Sequence, residues 1–217
     1  MSTLQVAVIT TGHGYDVPNF HRLFRSLSGL DCYVQNLEDF IASGKAQSSY
    51  DVLCFYHMPG GEPTLEGVAW QGRVRASMEK LKEGSQGIVA LHHGILAWLG
   101  WDYWGELVGM SDRTFEDYHH DETMHIDITD GSHPITNGLE PWDIIDETYE
   151  MPEPDTAGNQ LLLTVNHPQS MKAVAWTRTH GKVPVFCYQL GHDNQAWENE
   201  SFRTVLERGI KWSAGKL

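Results

Sequence analysis

The chain has 217 residues, 41% hydrophobic and 20% charged, which is ordinary globular composition and enough to bury one substantial core. Its formal charge of −14 without any basic run argues against nucleic acid and anionic membranes as partners, but leaves a small neutral ligand such as a carbohydrate open. Three cysteines without CxxC spacing do not make a disulfide framework, and no run reaches the roughly 18 apolar residues of a membrane span. With no basic-then-apolar leader at the start, the expected setting is a reducing cytoplasm with Cys32, Cys54 and Cys187 as buried thiols.

Gln5–Thr10 is a short β-branched, apolar run of the kind buried on both faces in a parallel sheet, and it ends in Thr11-Gly12-His13-Gly14-Tyr15-Asp16. Phe20, Leu23, Phe24 and Leu27 then fall on one helical face, with Pro18 suited to the helix start and Gly29 to its end. Asp31–Asn36 and Tyr50–His57 read as the second and third strands, and a helix is predicted from Leu65 to Glu83 with Val74, Met78 and Leu81 inward. Ile88–Leu91 is a fourth strand that stops at His92-His93-Gly94, after which an aromatic helical stretch runs from Ala97 to about Gly109. This alternation is that of a doubly wound α/β sheet.

The rhythm changes between residues 110 and 166, where turn residues separate short strand candidates, among them Met124–Thr129, Ile144–Glu150 and Leu161–Val165. We read this stretch as an insertion or antiparallel β extension of the same domain. Ala173–Thr177 and Val183–Tyr188 flank Gly181 as a hairpin, with Pro184 marking a strand start that lacks a partner on one side. A closing helix spans about Ser201 to Ala214.

Ligands of open parallel sheets bind beyond the carboxyl ends of the strands. That rule selects His13, Tyr15 and Asp16 after the first strand, His57, Gly60 and Gly61 after the third, His92 and His93 after the fourth, and Gly191, His192 and Asp193 after the last. The extension offers Asp146 and Glu147. Neighbours in a strand point to opposite faces, so one of these two is expected in the pocket and the other in solvent. His92 and His192 stand out because each follows an apolar strand beside a glycine. They are assigned as acid–base groups or metal ligands, with Asp146 or Glu147 as carboxylate partner. Gly60-Gly61 reads equally as a tight turn, and His119 and His120 as a polar loop face. Trp98, Trp101 and Trp104 are candidates for stacking on a sugar, with at least one of them in the core.

No HExxH, Walker loop, GxGxxG or GxSxG occurs. The strand–helix turn after Leu91 holds histidine where a nucleophile elbow would hold serine or cysteine.

Taken in order, Tyr56-His57-Met58-Pro59-Gly60-Gly61, Ile88–His93, His133-Pro134-Ile135 with Gly138, Asp146–Tyr149, Val174–Thr177, Leu190–Asp193 with Trp197, and Arg208–Trp212 resemble the trehalose-utilisation (ThuA-like) family over nearly the whole chain. The resemblance implies a flavodoxin-like, three-layer sheet of the class I glutamine amidotransferase-like group with an antiparallel extension. In those amidotransferases a cysteine sits at the elbow and a histidine follows a late strand. Here His92 takes the first position, which argues against glutaminase activity, and His192 takes the second. The resemblance also implies work on trehalose-related disaccharides or their 3-keto derivatives, by hydrolysis or isomerisation, with room for a divalent metal at His92 and His192. Two other classes stand beside the enzyme: a non-catalytic sugar- or metabolite-binding module, and a homo-oligomer subunit using the aromatic stretch from Trp98 to Trp104 as an exposed interface.

Overall fold

A computed structural model describes residues 3–64 and 69–217. Among these described residues nine strands form one mixed sheet: β1 (Leu4–Thr11), β2 (Leu30–Asn36), β3 (Val52–His57), β4 (Gly87–Leu91), β5 (Asp117–Ile128), β6 (Trp142–Glu150), β7 (Asn159–Val165), β8 (Ala173–His180) and β9 (Val183–Tyr188). Their spatial order is β2-β1-β3-β4-β9-β8-β7-β5-β6. The first five are mutually parallel and the rest pair antiparallel.

The parallel strands follow from their sequences. Val6 and Val8 of β1 face one way and Ala7 and Ile9 the other, and all four are buried. One face packs on α1 (Val17–Ser26) and α6 (Glu200–Ser213) through Phe20, Leu23, Phe202 and Leu206. The other packs on α2 (Leu37–Ala42), α3 (Ala69–Glu79) and α4 (Asp102–Val108) through Phe40, Met78, Trp104 and Leu107. Each such side chain contributes about 1.5–3 kcal/mol of burial. The result is the three-layer α/β arrangement expected from the alternation.

Several boundaries differ from the sequence reading. The link between β2 and β3 folds into α2, capped by the Asn36 side chain, which accepts from the Asp39 N–H. The helix predicted from Leu65 to Glu83 covers Ala69–Glu79 and continues as a short 3-10 turn, Leu81–Glu83. Its predicted first residues, 65–68, lie outside the described residues. After β4 the chain makes a 3-10 turn, His92–Leu96, and α4 starts only at Asp102. Between them Trp98 takes a left-handed φ of 47°. Arg113, itself buried, donates to the carbonyl oxygens of Ala97 (2.7 Å), Trp98 (2.8 Å) and Trp101 (2.9 Å), satisfying a segment that no helix could.

The residues read as a polar loop face, His119 and His120, lie within β5. Pro184 sits in β9 opposite Thr179 of β8, and the ladder to β4 begins one residue later at Val185, so the missing N–H faces no strand partner. Trp98, Trp101 and Trp104 are all buried and pack on one another edge to face. They form neither a sugar platform nor an exposed interface.

Candidate functional site

The site lies where β4 and β9 end beside the edge pair β5–β6. At the end of β4 the chain turns sharply: His92 has φ 51°, a left-handed conformation costly for a non-glycine residue. Gly94 then lies so close to β3 that a Cβ there would meet the Phe55 carbonyl oxygen at 2.2 Å. This is the strand–turn geometry of an elbow. It drives the His92 ring into the interior with no exposed surface.

Four contacts fix that ring. Nδ1 lies 2.7 Å from the carbonyl oxygen of Gln189, which can only accept, so the proton sits on Nδ1. Nε2 is thereby turned to the site. The Tyr149 hydroxyl lies 2.9 Å from it. Glu147 Oε2 is 3.1 Å from the same nitrogen and His192 Nδ1 is 3.2 Å away. His192 Nδ1 is in turn 3.5 Å from Glu147 Oε2. The second Glu147 oxygen lies 3.1 Å from His120 Nδ1.

Both carboxylates of β6 are buried, against the expectation that one would be solvated. The Gly191–His192 loop after β9 covers Asp146, whose carboxylate accepts from the N–H groups of Gly191 (2.6 Å), His192 (2.9 Å) and Glu147 (2.8 Å). Gly191 supplies the loop's φ of 118°. The Tyr56 hydroxyl donates to the His192 carbonyl oxygen at 3.0 Å. Asp146 thus holds the backbone that carries His192, and Glu147 enters the site.

Burial pushes the Glu147 carboxyl up, but hydrogen bonds and charge from His192 and His92 outweigh it and hold the group well below the usual carboxylate range. Burial likewise works against protonated His192, yet its bond to Glu147 and that residue's charge raise it above an ordinary imidazole. Asp146 is raised by burial, opposed by His92 and by its three N–H donors. His13 is lowered by burial and by the adjacent imidazoles of His92 and His192. His93 is lowered further, by burial and by surrounding imidazoles. The edge therefore combines an ionised carboxylate with imidazoles of opposite tendency.

A cavity of about 170 Å³ opens onto Glu147, Tyr149, His13, His93 and His120, with Met58, Leu96, Phe115 and Tyr118 as its apolar wall. Of the residues selected from the sequence, His13 and His93 line it and His192 stands beside His13, ring centroids 5.5 Å apart. His92 does not line it but touches Glu147 and Tyr149, which do. His57 does not reach it: the ring is fully buried against Phe55, Trp98 and Trp104. Tyr15 packs on Phe20 and Tyr56. Asp16 and Asp193 cap α1 and the short α5 (Asn194–Glu198). Gly60 and Gly61 form an exposed turn outside the histidine cluster, with Gly61 at φ 66°.

His120 is the site residue that sequence reasoning missed. The β5–β6 register slips between His119 and Glu122, so His120 and Asp121 together oppose Glu147. Asp121 has φ 59°. This β-bulge aims His120 at Glu147 and the cavity. The only trace in the sequence is a polar run, Asp117–Glu122, inside an otherwise alternating strand.

The doubly wound sheet with an antiparallel edge and a strained strand–turn elbow is a fold shared with a glutamine amidotransferase, here with histidine at the elbow. A glutamine amidotransferase from Thermotoga maritima superposes with a TM-score of 0.60 at 10% identity, covering 99% of each chain. A ThuA-like protein from Parabacteroides merdae superposes with a TM-score of 0.75 at 19% identity, covering 100% of this chain and 92% of its own. A ThuA-like protein from Bacteroides uniformis gives 0.71 at 13% identity, over 98% and 91%. At these identities the likeness is one of fold. No curated protein matches the sequence significantly. The sequence profile of the trehalose-utilisation family, ThuA, matches residues 7–213, and the chain belongs to that family. Among the described residues no helix is long and apolar enough to cross a membrane.

Proposed function

We propose that this chain is an enzyme of carbohydrate metabolism that moves a proton next to the carbonyl of a keto-sugar, a 3-keto derivative of a trehalose-related disaccharide. The observation that carries the reading is the cavity: neutral imidazoles on one wall, and an ionised carboxylate clamped between imidazoles on the other. At about 170 Å³, below the ~300 Å³ of drug-sized sites, it suits one sugar ring with the second outside.

A carbonyl at C3 acidifies the C2–H bond. His13, exposed at the mouth and held neutral, is placed to accept that proton while the electron pair moves towards the C3 oxygen. His93 is buried and lines the cavity, and among the described residues neither ring nitrogen has a side-chain partner, which places it to bind a substrate hydroxyl. The cluster of His92, Glu147 and His192 forms the pole that faces the developing enolate, with His192 holding its proton more tightly than an ordinary imidazole. A divalent cation at this pole would be held by those three residues and would polarise the carbonyl oxygen as a Lewis acid. Return of the proton to C2 from the other side gives an isomer. Re-formation of the carbonyl with a C1–C2 double bond instead expels the C1 oxygen, which takes a proton, and water adding across that double bond completes hydrolysis.

Incubating the purified chain with trehalose-type disaccharides and their 3-keto forms tests this. Turnover of the keto forms, reduced at least ~100-fold in His13→Ala and Glu147→Gln, is expected. Binding of those sugars without product or proton exchange at C2 favours the binding-module reading and overturns the enzyme.

A further inference from the structure

We propose that His92 Nε2, Glu147 Oε2 and His192 Nδ1 form a binding site for one first-row divalent transition-metal ion. The proposal deepens the enzymatic reading above by assigning the electrophile of the same site, and rests on that reading only for the site's purpose.

The three atoms are 3.1, 3.2 and 3.5 Å apart. A single ion about 2.1 Å from each would subtend angles of about 95°, 99° and 113°, between octahedral and tetrahedral values. The three residues come from three separate segments, the turn after β4, the interior of β6 and the loop after β9, and converge here. The donor set is two imidazole nitrogens and one carboxylate oxygen, which suits zinc, manganese, iron, cobalt or nickel better than calcium or magnesium.

The surroundings are those of a ligand set. A metal-binding histidine commonly donates its other N–H to a carbonyl, and His92 Nδ1 does so to Gln189. The Gln189 side chain then returns to the chain beside the carboxylate, donating to the Glu147 carbonyl oxygen at 2.9 Å. The free oxygen of Glu147 is tied by His120. The backbone carrying His192 is held by buried Asp146. Three protein ligands leave coordination positions for oxygen ligands such as water or a sugar hydroxyl or carbonyl, as catalytic rather than structural sites do.

The test is calorimetric titration of the chelator-stripped full chain with Zn²⁺, Mn²⁺ and Co²⁺, with the visible spectrum of the cobalt form recorded. One ion per chain is expected, at a Kd at or below about 10 μM for at least one metal, with cobalt absorbing in the visible. His192→Ala and Glu147→Gln, checked for folding by circular dichroism, are expected to weaken uptake at least ~100-fold. His125→Ala, at an exposed histidine on β5, is expected to leave it unchanged. Absence of stoichiometric uptake overturns the proposal, as does uptake unchanged in both site variants or lost equally in His125→Ala. Keto-sugar turnover that survives stripping, without metal uptake, overturns the metal and keeps the enzyme. Uptake with no turnover does the reverse.

Discussion

The two halves of the sheet place chemistry in different ways. In the parallel half, β4 and β9 are buried runs, and His92 and His192 follow where those runs end. In the antiparallel half, the chemistry lies within a strand: Asp146 and Glu147 of β6 are internal to the ladder, and His120 is reached through a bulge in β5. The parallel half supplies imidazoles from loops, and the antiparallel half supplies two carboxylates and the His120 imidazole from within strands. The seam between them is therefore where removing one side chain should do most damage.

Asp146→Ala is expected to have the largest effect. Its carboxylate is fully buried and ties β6 to the β9 loop through Gly191 and His192. Deletion leaves three buried N–H groups without acceptors, a cost of about 3–5 kcal/mol in a denaturant midpoint, with turnover lost as His192 drifts. A variant as stable and active as the parent would show that the halves are joined elsewhere.

Trp104→Ala separates fold from site. Trp104 is fully exposed to no solvent, packs on Phe55, His57 and Trp98, and donates from Nε1 to the Gly94 carbonyl oxygen at 2.9 Å. A loss of about 3–5 kcal/mol is expected, with KM of the folded fraction unchanged. A raised KM with little loss of stability would return the tryptophans to the binding site.

How far the sequence is legible follows the same division. The parallel strands, their helices and the elbow at His92 can be read because period, burial and turn signals agree at each of those positions. Glu147 and His192 are recognisable as candidates for the same reason of place. The burial of Asp146 cannot be read, because it depends on a loop 45 residues away folding over it. His120 is hidden by the register slip, a pairing property and not a compositional one. His57 misleads: it ends a strand as His92 does, but the Trp98–Trp104 segment seals it in. The second helix, α2, is only six residues long and offers little periodicity to detect.

His57 gives the parallel half a pH signature. Burial pushes its imidazole down to about 3, and among the described residues neither ring nitrogen has a partner. The unfolded chain binds this proton near 6.5, so the associated stability is intact above that pH and is lost as pH falls from 6.5 towards 3. Roughly 2 kcal/mol should be gone by pH 5, at about 1.4 kcal/mol per unit. His57→Leu should flatten the curve of denaturant midpoint against pH. An unchanged slope would assign the acid sensitivity to other groups.

At the cavity wall the expected change is in binding. Tyr118 is 49% exposed and lies along the apolar wall near Phe115. Tyr118→Ala should alter stability by no more than about 0.5 kcal/mol while raising KM severalfold, through loss of contact with the sugar ring. An unaltered KM would remove Tyr118 from the binding surface.

The smallest effect belongs to the antiparallel half and has the opposite sign to that of His57. His125 of β5 faces Asp143 of β6 across the ladder, with Nδ1 2.6 Å from a carboxylate oxygen, and Asp127 lies 3.9 Å from its other nitrogen. The hydrogen bond to Asp143 raises the imidazole above its ordinary value. A raised folded value means the pairing contributes fully below the unfolded value of 6.5 and is lost as pH rises through the folded one. The pair is exposed, so salt screens it and its contribution is small. Asp143→Asn should erase a slight fall in denaturant midpoint on the alkaline side of neutrality, at low salt only. If that fall survives the substitution, or persists in high salt, a buried pair elsewhere along β5–β6 is responsible, and the contrast between a sealed histidine on one side of the seam and a solvated one on the other fails.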